Sequence, residues 1–253
     1  MKVTAFIGSA RKKHTYHAAE RFLNNLRSMG NVETELVMLS EYNLGICRGD
    51  LLCLNKGEEL CPLKDDRDML IEKINNSDGV IFATPNYSFQ VSGLMKVFLD
   101  RFGYLFHRPR FFGKTFTSIV VQGIYGGGAI VKYFNFIGYA LGFNVVKGRY
   151  ITSMEPITAK RQAANDKAID DLGKRFYSQL IKKEYKTPSL FDLMVFRLGR
   201  TSRKIMLDDK MRDYTYMSDK GWFESDYYYP VKLNPFKKLM GALFDKLGIL
   251  MTR

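Results

Sequence analysis

The residues with the clearest chemical potential follow the first apolar segment of the chain. Lys2 to Ile7 has the composition of a short buried strand, and the segment Gly8 to Thr15 leads from it into a helical pattern. A polar turn at a helix N-terminus directs unpaired backbone N–H groups and the positive end of the helix dipole at one anion. The Ser9 and Thr15 hydroxyls can add hydrogen bonds, and Arg11 can add a charged donor. The sequence therefore predicts a phosphate-binding loop.

Two common nucleotide-binding motifs do not fit this loop. The pattern G-x-x-x-x-G-K-[ST] of triphosphate sites does not occur in the chain. The pattern G-x-G-x-x-G does not follow the first strand, and the second strand ends at Met38-Leu39-Ser40 without the acidic residue that binds a dinucleotide ribose. A terminal monophosphate fits best, and the alternative is a polar turn that only caps its helix.

Five predicted strands alternate with five predicted helices. The strands are Lys2 to Ile7, Val32 to Met38, Gly79 to Ala83, Phe116 to Val121 and Phe143 to Val146. The second strand alternates apolar and polar residues, as edge strands do, and the third is apolar throughout, as central strands buried on both faces are. This pattern predicts an α/β, three-layer, flavodoxin-like fold with a five-stranded parallel sheet in the order 2-1-3-4-5.

Three loops of this topology meet at the carboxyl edge of the sheet, where such folds bind ligands. They are the first loop (residues 8–15), the second loop (residues 84–91) and the third loop (residues 123–128). A proline and aromatic rings in the second loop suit a flat polar ring edge, and glycines in the third let the backbone approach a ligand closely. Together the loops suit FMN, and the alternative is three ordinary turns. The candidate cofactor-binding residues are Ser9, Arg11, Lys13, His14, Thr15, Thr84, Pro85, Asn86, Tyr87, Ser88, Gly123, Gly126, Gly127 and Gly128.

The same loops carry a family resemblance over about residues 1–180. The segment Gly8 to Lys12 resembles the G-S-x-R-K opening of NAD(P)H-dependent FMN reductases related to the iron-sulfur flavoproteins. Ala83 to Tyr87, Ser92 to Lys96 and Asp100-Arg101 resemble their A-T-P-x-Y, S-G-x-x-K and D-R motifs. The resemblance implies that the first loop holds the FMN phosphate, the second the isoalloxazine edge and the third the pyrimidine side. The first loop is one residue shorter than the common form, so that His14 stands where asparagine is usual.

The activity that the resemblance implies is an FMN-dependent NAD(P)H oxidoreductase. Hydride would pass through bound flavin to a small acceptor: a flavin, a quinone, a nitro or azo compound, or a metal ion. We predict no catalytic side chain, because the cofactor supplies the reactivity, and His14, His17 and His107 lack the partners of a catalytic dyad or triad. Two alternatives are a non-enzymatic flavodoxin-type electron carrier, which would be expected to be shorter and acidic, and a membrane-associated redox module.

Three cysteines, Cys47, Cys53 and Cys61, lie between the second strand and the next helix. Iron-sulfur flavoproteins place a C-x2-C-x2-C-x(n)-C cluster motif in this region, and the resemblance puts Asp50 at one of its cysteine positions. Because four thiolates are the usual complement of a cluster, we expect reduced thiols and no iron-sulfur cluster or other metal site. The alternative is a cluster ligated by the three cysteines.

The chain divides in this interpretation into a flavodoxin-like FMN-binding domain over residues 1–182 and a helical, aromatic and basic C-terminal extension over residues 183–253. The extension contains a helix predicted to begin at Thr187-Pro188 and end near Gly199, and an amphipathic basic helix that begins at Asn234-Pro235. We favour packing of the last helix at a core or intersubunit seam over membrane docking, and we expect a homodimer.

Composition limits the partners and the compartment. The chain has 253 residues, 46% of them hydrophobic, and a formal net charge of +13 that is spread along its length. No nucleic-acid-binding motif accompanies this charge, so we expect no nucleic acid partner and attribute the charge to attraction of NAD(P)H. The apolar run at the N-terminus is too short for a signal sequence, and no segment is long enough to cross a bilayer. We therefore expect a cytoplasmic protein.

Overall fold

The computed structural model describes residues 1–252, and the chain forms two compact units. The first unit consists of Met1–Arg48 and Leu63–Tyr185, and the second consists of Gly49–Pro62 and the chain from Lys186 onward. The units differ from the predicted domains chiefly in the segment Gly49–Pro62, which contains two of the three cysteines. The division into an FMN-binding domain over residues 1–182 and an extension over residues 183–253 stays a prediction.

A parallel sheet forms the centre of the first unit. Its strands are β1 (Lys2–Ile7), β2 (Glu33–Met38), β3 (Gly79–Tyr87), β4 (Gln90–Val91), β5 (Thr115–Gln122), β6 (Asn144–Val145) and β7 (Arg149–Thr152). The order is β2-β1-β3-β5-β6, with β7 also parallel to β5 and β4 antiparallel to β3. The predicted fold class is therefore confirmed. The fifth predicted strand is shortened to β6. Strand β7, which the sequence did not predict, pairs with the other end of β5.

Ten α-helices complete the two units over residues 1–252. They are α1 (His14–Met29), α2 (Leu52–Asn55), α3 (Arg67–Asn75), α4 (Gly93–Asp100), α5 (Gly103–His107), α6 (Gly127–Ala140), α7 (Ala159–Leu180), α8 (Leu190–Met206), α9 (Arg212–Asp219) and α10 (Pro235–Met251). Within residues 1–252, no helix is long and apolar enough to cross a membrane.

The two faces of the sheet bury different side chains because neighbouring strand residues point in opposite directions. On one face, Ile81 and Ala83 share a core with α1 and α7, where the rings of Phe22 and Phe176 lie 5.3 Å apart. On the other face, the Phe82 ring contacts aromatic rings of α4, β5 and α6, at centroid distances of 5.0–6.0 Å. These two helical layers fix the carboxyl edge of the sheet, where the three loops begin.

The second loop is more ordered than the sequence indicates. Strand β3 continues to Tyr87 and turns back into β4 through Ser88 and Phe89, whose φ angles are 50° and 63°. Two-residue hairpins with positive φ at both turn positions usually contain glycine or asparagine. Because this turn contains neither, the sequence predicts only an irregular loop here.

The second unit is built on helices α8 and α10. Asn234 caps α10 by accepting a hydrogen bond from Lys237 N at 2.8 Å, with Pro235 in the first turn, as the sequence predicts. The predicted limits of the other helix were wrong. Helix α8 starts after Ser189, which forms a reciprocal capping box with Asp192, and it continues through Gly199 to Met206.

Candidate functional site

The first loop is a tight turn held by its own backbone. Gly8 N donates to Ala83 O at 2.8 Å, which ties the start of the loop to the end of β3. The Ser9 hydroxyl donates to Arg11 O at 3.0 Å and accepts from Arg11 N at 3.3 Å. Ser9 and Thr15 are buried, whereas Arg11 and Lys13 are exposed. The loop therefore brings small hydroxyl side chains inside and places cationic ones at its rim.

This loop leaves several backbone N–H groups without an acceptor in the protein. Within residues 1–252 no acceptor is present for six N–H groups of the turn and the first helical turn. They belong to Ser9, Ala10, Lys12, His14, Thr15 and Tyr16. Lys13, at the N-cap of α1, provides no side-chain cap, and the first turn contains no acidic residue. Free backbone donors at a helix N-terminus can hold an anion.

Ser92 connects the first two loops, a role that the sequence does not reveal. Its hydroxyl donates to Gly8 O and accepts from Met95 N at 3.2 Å as the N-cap of α4. Ser92 N donates to the hydroxyl of Thr84 at 3.1 Å, and that hydroxyl donates to Pro85 O at 3.0 Å. Thr84 is fully buried, so its side chain supports the loops.

Asn86 joins the second loop to the third. Its Nδ2 donates to Tyr125 O at 2.8 Å, while its buried Oδ1 has no hydrogen-bond partner within residues 1–252. The rings of Phe89 and Tyr125 lie 5.1 Å apart across the same gap. Tyr87, next to Asn86, is 50% exposed at the edge of the loops. An orphaned acceptor among exposed rings is suited to a flat heterocycle that carries an N–H group.

Gln122 organises the third loop and was missed by the sequence analysis. Its Nε2 donates to Ile124 O at 3.0 Å and to Thr152 Oγ1 at 3.1 Å, and its Oε1 accepts from Gly127 N at 2.7 Å. The only signal in the sequence is a polar residue that ends an apolar strand. Gly126 has a φ of 98°, a conformation that favours glycine.

The third loop also presents free backbone donors. Over the part of the chain that the structure describes, five of its N–H groups have no acceptor. They are those of Gly123, Ile124, Tyr125, Gly126 and Gly128. Helix α6 begins at Gly127, so its positive dipole end lies at the same place.

Two basic candidates of the first loop differ in their surroundings. His14 Nε2 lies 3.0 Å from Glu155 Oε1, so a carboxylate already engages that ring nitrogen. Arg11 has no carboxylate within ion-pair distance among residues 1–252, and its guanidinium is available to an anion. Lys12, which is not a candidate, lies 3.8 Å from Glu41 Oε1.

The remaining motif residues stabilise the elements behind the loops. Lys96 pairs with Asp100 one turn later in α4, and this hydrogen bond raises the pKa of Lys96. Arg101 donates to Asp65 Oδ1 at 3.0 Å, with both side chains buried. Burial opposes ionisation of Asp65, but hydrogen bonds from Arg101 and from two backbone N–H groups outweigh it and lower the Asp65 pKa.

The three cysteines are divided between the two units. Cys47 is exposed in the first unit, whereas Cys53 and Cys61 belong to the second unit, and no disulfide joins them. Asp50 Oδ1 accepts a hydrogen bond from Leu52 N at 3.0 Å, which is a local turn contact. No group of three or more His, Cys, Asp or Glu residues that could hold a metal ion occurs within residues 1–252.

Comparison with solved structures supports the fold. The structure of RosB is similar with a TM-score of 0.58 and 14% identity, covering 93% of this chain and 92% of that protein. The NAD(P)H:quinone oxidoreductase of Methanothermobacter marburgensis has a TM-score of 0.54 and 16% identity, covering 69% of this chain and 98% of that protein. At these identities the likeness concerns the fold alone.

Sequence relatives identify the family. The family described as NADPH-dependent FMN reductase matches residues 1–155. An iron-sulfur flavoprotein of Archaeoglobus fulgidus is 37% identical over 161 residues, which are 58% of this chain and 71% of that protein. An iron-sulfur flavoprotein of Clostridioides difficile is 27% identical over 234 residues, which are 88% of this chain and 98% of that protein. The chain therefore belongs to the NADPH-dependent FMN reductase family and is an FMN-dependent NAD(P)H oxidoreductase.

Proposed function

We propose that FMN is held by the three loops, with its phosphate in the first. The six unused N–H groups there are the observation that carries the proposal. The Thr15 hydroxyl, the guanidinium of Arg11, the Lys13 ammonium and the ring of His14 add to this set of donors. The Ser9 hydroxyl, which donates to Arg11 O in the structure, would turn toward the phosphate. One dianionic phosphate would accept hydrogen bonds from these donors together, whereas a separate water molecule would be needed for each donor.

The ring of the cofactor fits the other two loops. Oδ1 of Asn86 is an acceptor for a flavin ring N–H, and Pro85, Tyr87 and Ser88 border the same edge. The free N–H groups from Gly123 to Gly128 would face the pyrimidine side. The positive end of α6 and these donors would stabilise negative charge that develops there on reduction.

When bound, FMN accepts hydride from NAD(P)H and passes electrons onward. The role of the chain is to position the ring and leave one face open to both substrates in turn, which needs orientation more than a protein acid or base. We therefore assign no side chain to proton transfer. The acceptor that we propose is a small molecule of the quinone, flavin, nitro or azo class, or a metal ion.

Further parts of the proposal concern the setting of the enzyme. We propose a homodimer, because the rings of Tyr87, Phe89 and Tyr125 at the site are 50–65% exposed and a second chain could cover them. We also propose a cytoplasmic location, where NAD(P)H is supplied. A non-enzymatic electron carrier would need no access for a nicotinamide, and it is the alternative that the reduction experiments below exclude or support.

The test compares FMN with riboflavin, which lacks the phosphate. The flavin is removed, and binding of each ligand is measured by fluorescence quenching for the wild type and for Ser9→Ala and Arg11→Ala. Charged hydrogen bonds of this kind contribute about 1.5–3 kcal/mol, so each variant should bind FMN about 10- to 100-fold more weakly. Riboflavin binding should not change.

Lys12→Ala is the matched control for Arg11→Ala, because it also removes one positive charge from the first loop. Its ammonium is directed toward Glu41, so its FMN affinity should stay within about threefold of the wild type. The site assignment fails if the wild type binds riboflavin as tightly as FMN, or if Arg11→Ala and Lys12→Ala behave alike. Circular dichroism on each variant confirms that the chain is folded.

A further inference from the structure

Helix α10 of the second unit carries an exposed apolar stripe. Its five side chains recur at intervals of three or four residues, so they share one face of the helix over about 20 Å. Each of them is 41–69% exposed. The residues of the apolar stripe are Phe236, Leu239, Leu243, Leu247 and Leu250. A continuous exposed apolar surface of this kind indicates contact with another molecule.

The other side of α10 packs against α8. Phe244 and Gly248 are buried there, and a Cβ atom added at Gly248 would lie 3.1 Å from the Cβ of Thr201 in α8. Asp245 also points to this side, where it accepts a hydrogen bond from Arg200 at 2.8 Å. The sequence favours packing of this helix at a seam, but the seam with α8 uses this side and leaves the apolar stripe uncovered.

The outward side of α10 also carries positive charge. Lys238 and Lys246 are exposed, and neither has a carboxylate within 4.0 Å over residues 1–252. Lys246 borders the apolar stripe beside Leu239, because seven residues make almost two helical turns. Asp245 is the one acidic residue in the sequence of α10, and two mostly buried arginines of α8 already engage it. The surface around the stripe therefore suits an anionic partner.

Protein partners fit this surface less well than lipid. A two-fold interface places a patch against itself, so a second copy would bring four unpaired lysine charges together with no free carboxylate from α10. Binding energy at interfaces between proteins comes mostly from Trp, Tyr and Arg, with Leu under-represented, and four of the five stripe residues are leucine. Helices that lie on membranes combine an apolar stripe with lysines that reach anionic headgroups.

We propose that α10 docks the protein on an anionic lipid surface. The apolar stripe enters the boundary between headgroups and acyl chains, and Lys238 and Lys246 contact the lipid anions. The helix lies along the surface, which agrees with the finding that no helix within residues 1–252 can cross a membrane. The proposal does not depend on the FMN site, so either one can fail without the other.

The experiment is co-sedimentation of the FMN-loaded full chain with vesicles of phosphatidylcholine that contain about one third phosphatidylserine. The wild type should sediment with them. Leu239→Glu and Leu250→Glu should each bind about tenfold more weakly, and Lys246→Gln about fivefold. The matched controls are Ile181→Glu, at an equally exposed site after α7, and Lys160→Gln in α7, and both should bind like the wild type.

Vesicles of phosphatidylcholine alone should bind the wild type about tenfold more weakly than the mixed vesicles. The proposal is overturned if the wild type sediments equally with both kinds of vesicle or with neither, or if Leu239→Glu behaves like Ile181→Glu. Size-exclusion chromatography gives the other contrary result: a wild-type assembly that Leu239→Glu divides, without vesicle binding, would assign the stripe to a second copy. Circular dichroism and retained FMN show that each variant is folded.

Discussion

Some residues of the site are available to hold a ligand, and others hold the loops together. The backbone N–H of Ser9 and the guanidinium of Arg11 are available to a ligand, whereas the hydroxyls of Ser9, Thr84 and Ser92 donate within the protein. Sequence reasoning predicts which loops contain polar groups, but it cannot predict how those groups are shared. The partner of Ser92 is Gly8, which is 84 residues away along the chain, and only the folded sheet brings them together.

Loss of the Asp65 carboxylate should strongly destabilise the first unit. Its carboxylate accepts from Arg101 at 3.0 Å and from Gly45 N at 2.8 Å, with both side chains of the pair buried. Removing one partner of a buried pair leaves an uncompensated charge, so Asp65→Asn should lower the free energy of unfolding by about 3–5 kcal/mol at pH 7. Urea unfolding followed by circular dichroism measures this change.

The effect of Asp65→Asn on the free energy of unfolding should become smaller as the pH falls. The pKa of Asp65 is lower in the folded protein than its unfolded value of about 3.9, so its contribution is complete above that pH and is lost as pH falls through the folded value. The difference between wild type and Asp65→Asn should therefore shrink below about pH 4. A difference that stays constant down to pH 3 would contradict this account. Asp100→Asn, which removes one charge of the exposed Lys96–Asp100 pair in the same unit, should cost less than about 1 kcal/mol.

At the scale of elements, regular segments were predictable and their junctions were not. Strands β1, β3 and β5 follow from runs of apolar residues that need burial on both faces, and α10 follows from its Asn-Pro start. The hairpin between β3 and β4 depends on positive φ angles at Ser88 and Phe89, which cannot be predicted from these residue types. Helix α8 continues through Gly199 because packing against α10 outweighs the low helix propensity of glycine.

A charged cluster joins α8 to α10 in the second unit. Asp245 of α10 accepts from Arg197 at 2.7 Å, from Arg200 at 2.8 Å and from Thr201 at 2.9 Å. Because both arginine side chains are mostly buried, Asp245→Ala should destabilise this helix pair by about 3 kcal/mol or more. Hydrogen exchange of α8 and α10 should show faster opening in the variant than in the wild type.

The control for this prediction is the exposed pair of Lys204 and Glu224 in the same unit. Glu224→Gln should leave exchange in both helices unchanged, because solvent screens an exposed ion pair. Equal protection in Asp245→Ala and the wild type would show that apolar packing around Leu193 and Phe244 alone holds the two helices together.

At the scale of the whole molecule, the family match and the fold are consistent with each other, and the charge favours one class of substrate. The family match ends at residue 155, but the Clostridioides difficile relative is similar over 88% of this chain, so the similarity extends into the second unit. The net charge of +13 favours anionic substrates. The membership of Gly49–Pro62 in the second unit could not be predicted, because it depends on contacts distant in sequence.

Our main proposal is that the three loops bind FMN where a nicotinamide can reach it. Its most direct test is anaerobic titration of the purified, FMN-loaded protein with NADPH, followed by visible absorption. We expect one FMN bound per chain and loss of the oxidised flavin absorption with about one equivalent of NADPH. Protein that fails to bind FMN, or bound FMN that neither NADPH nor NADH can reduce, would contradict it.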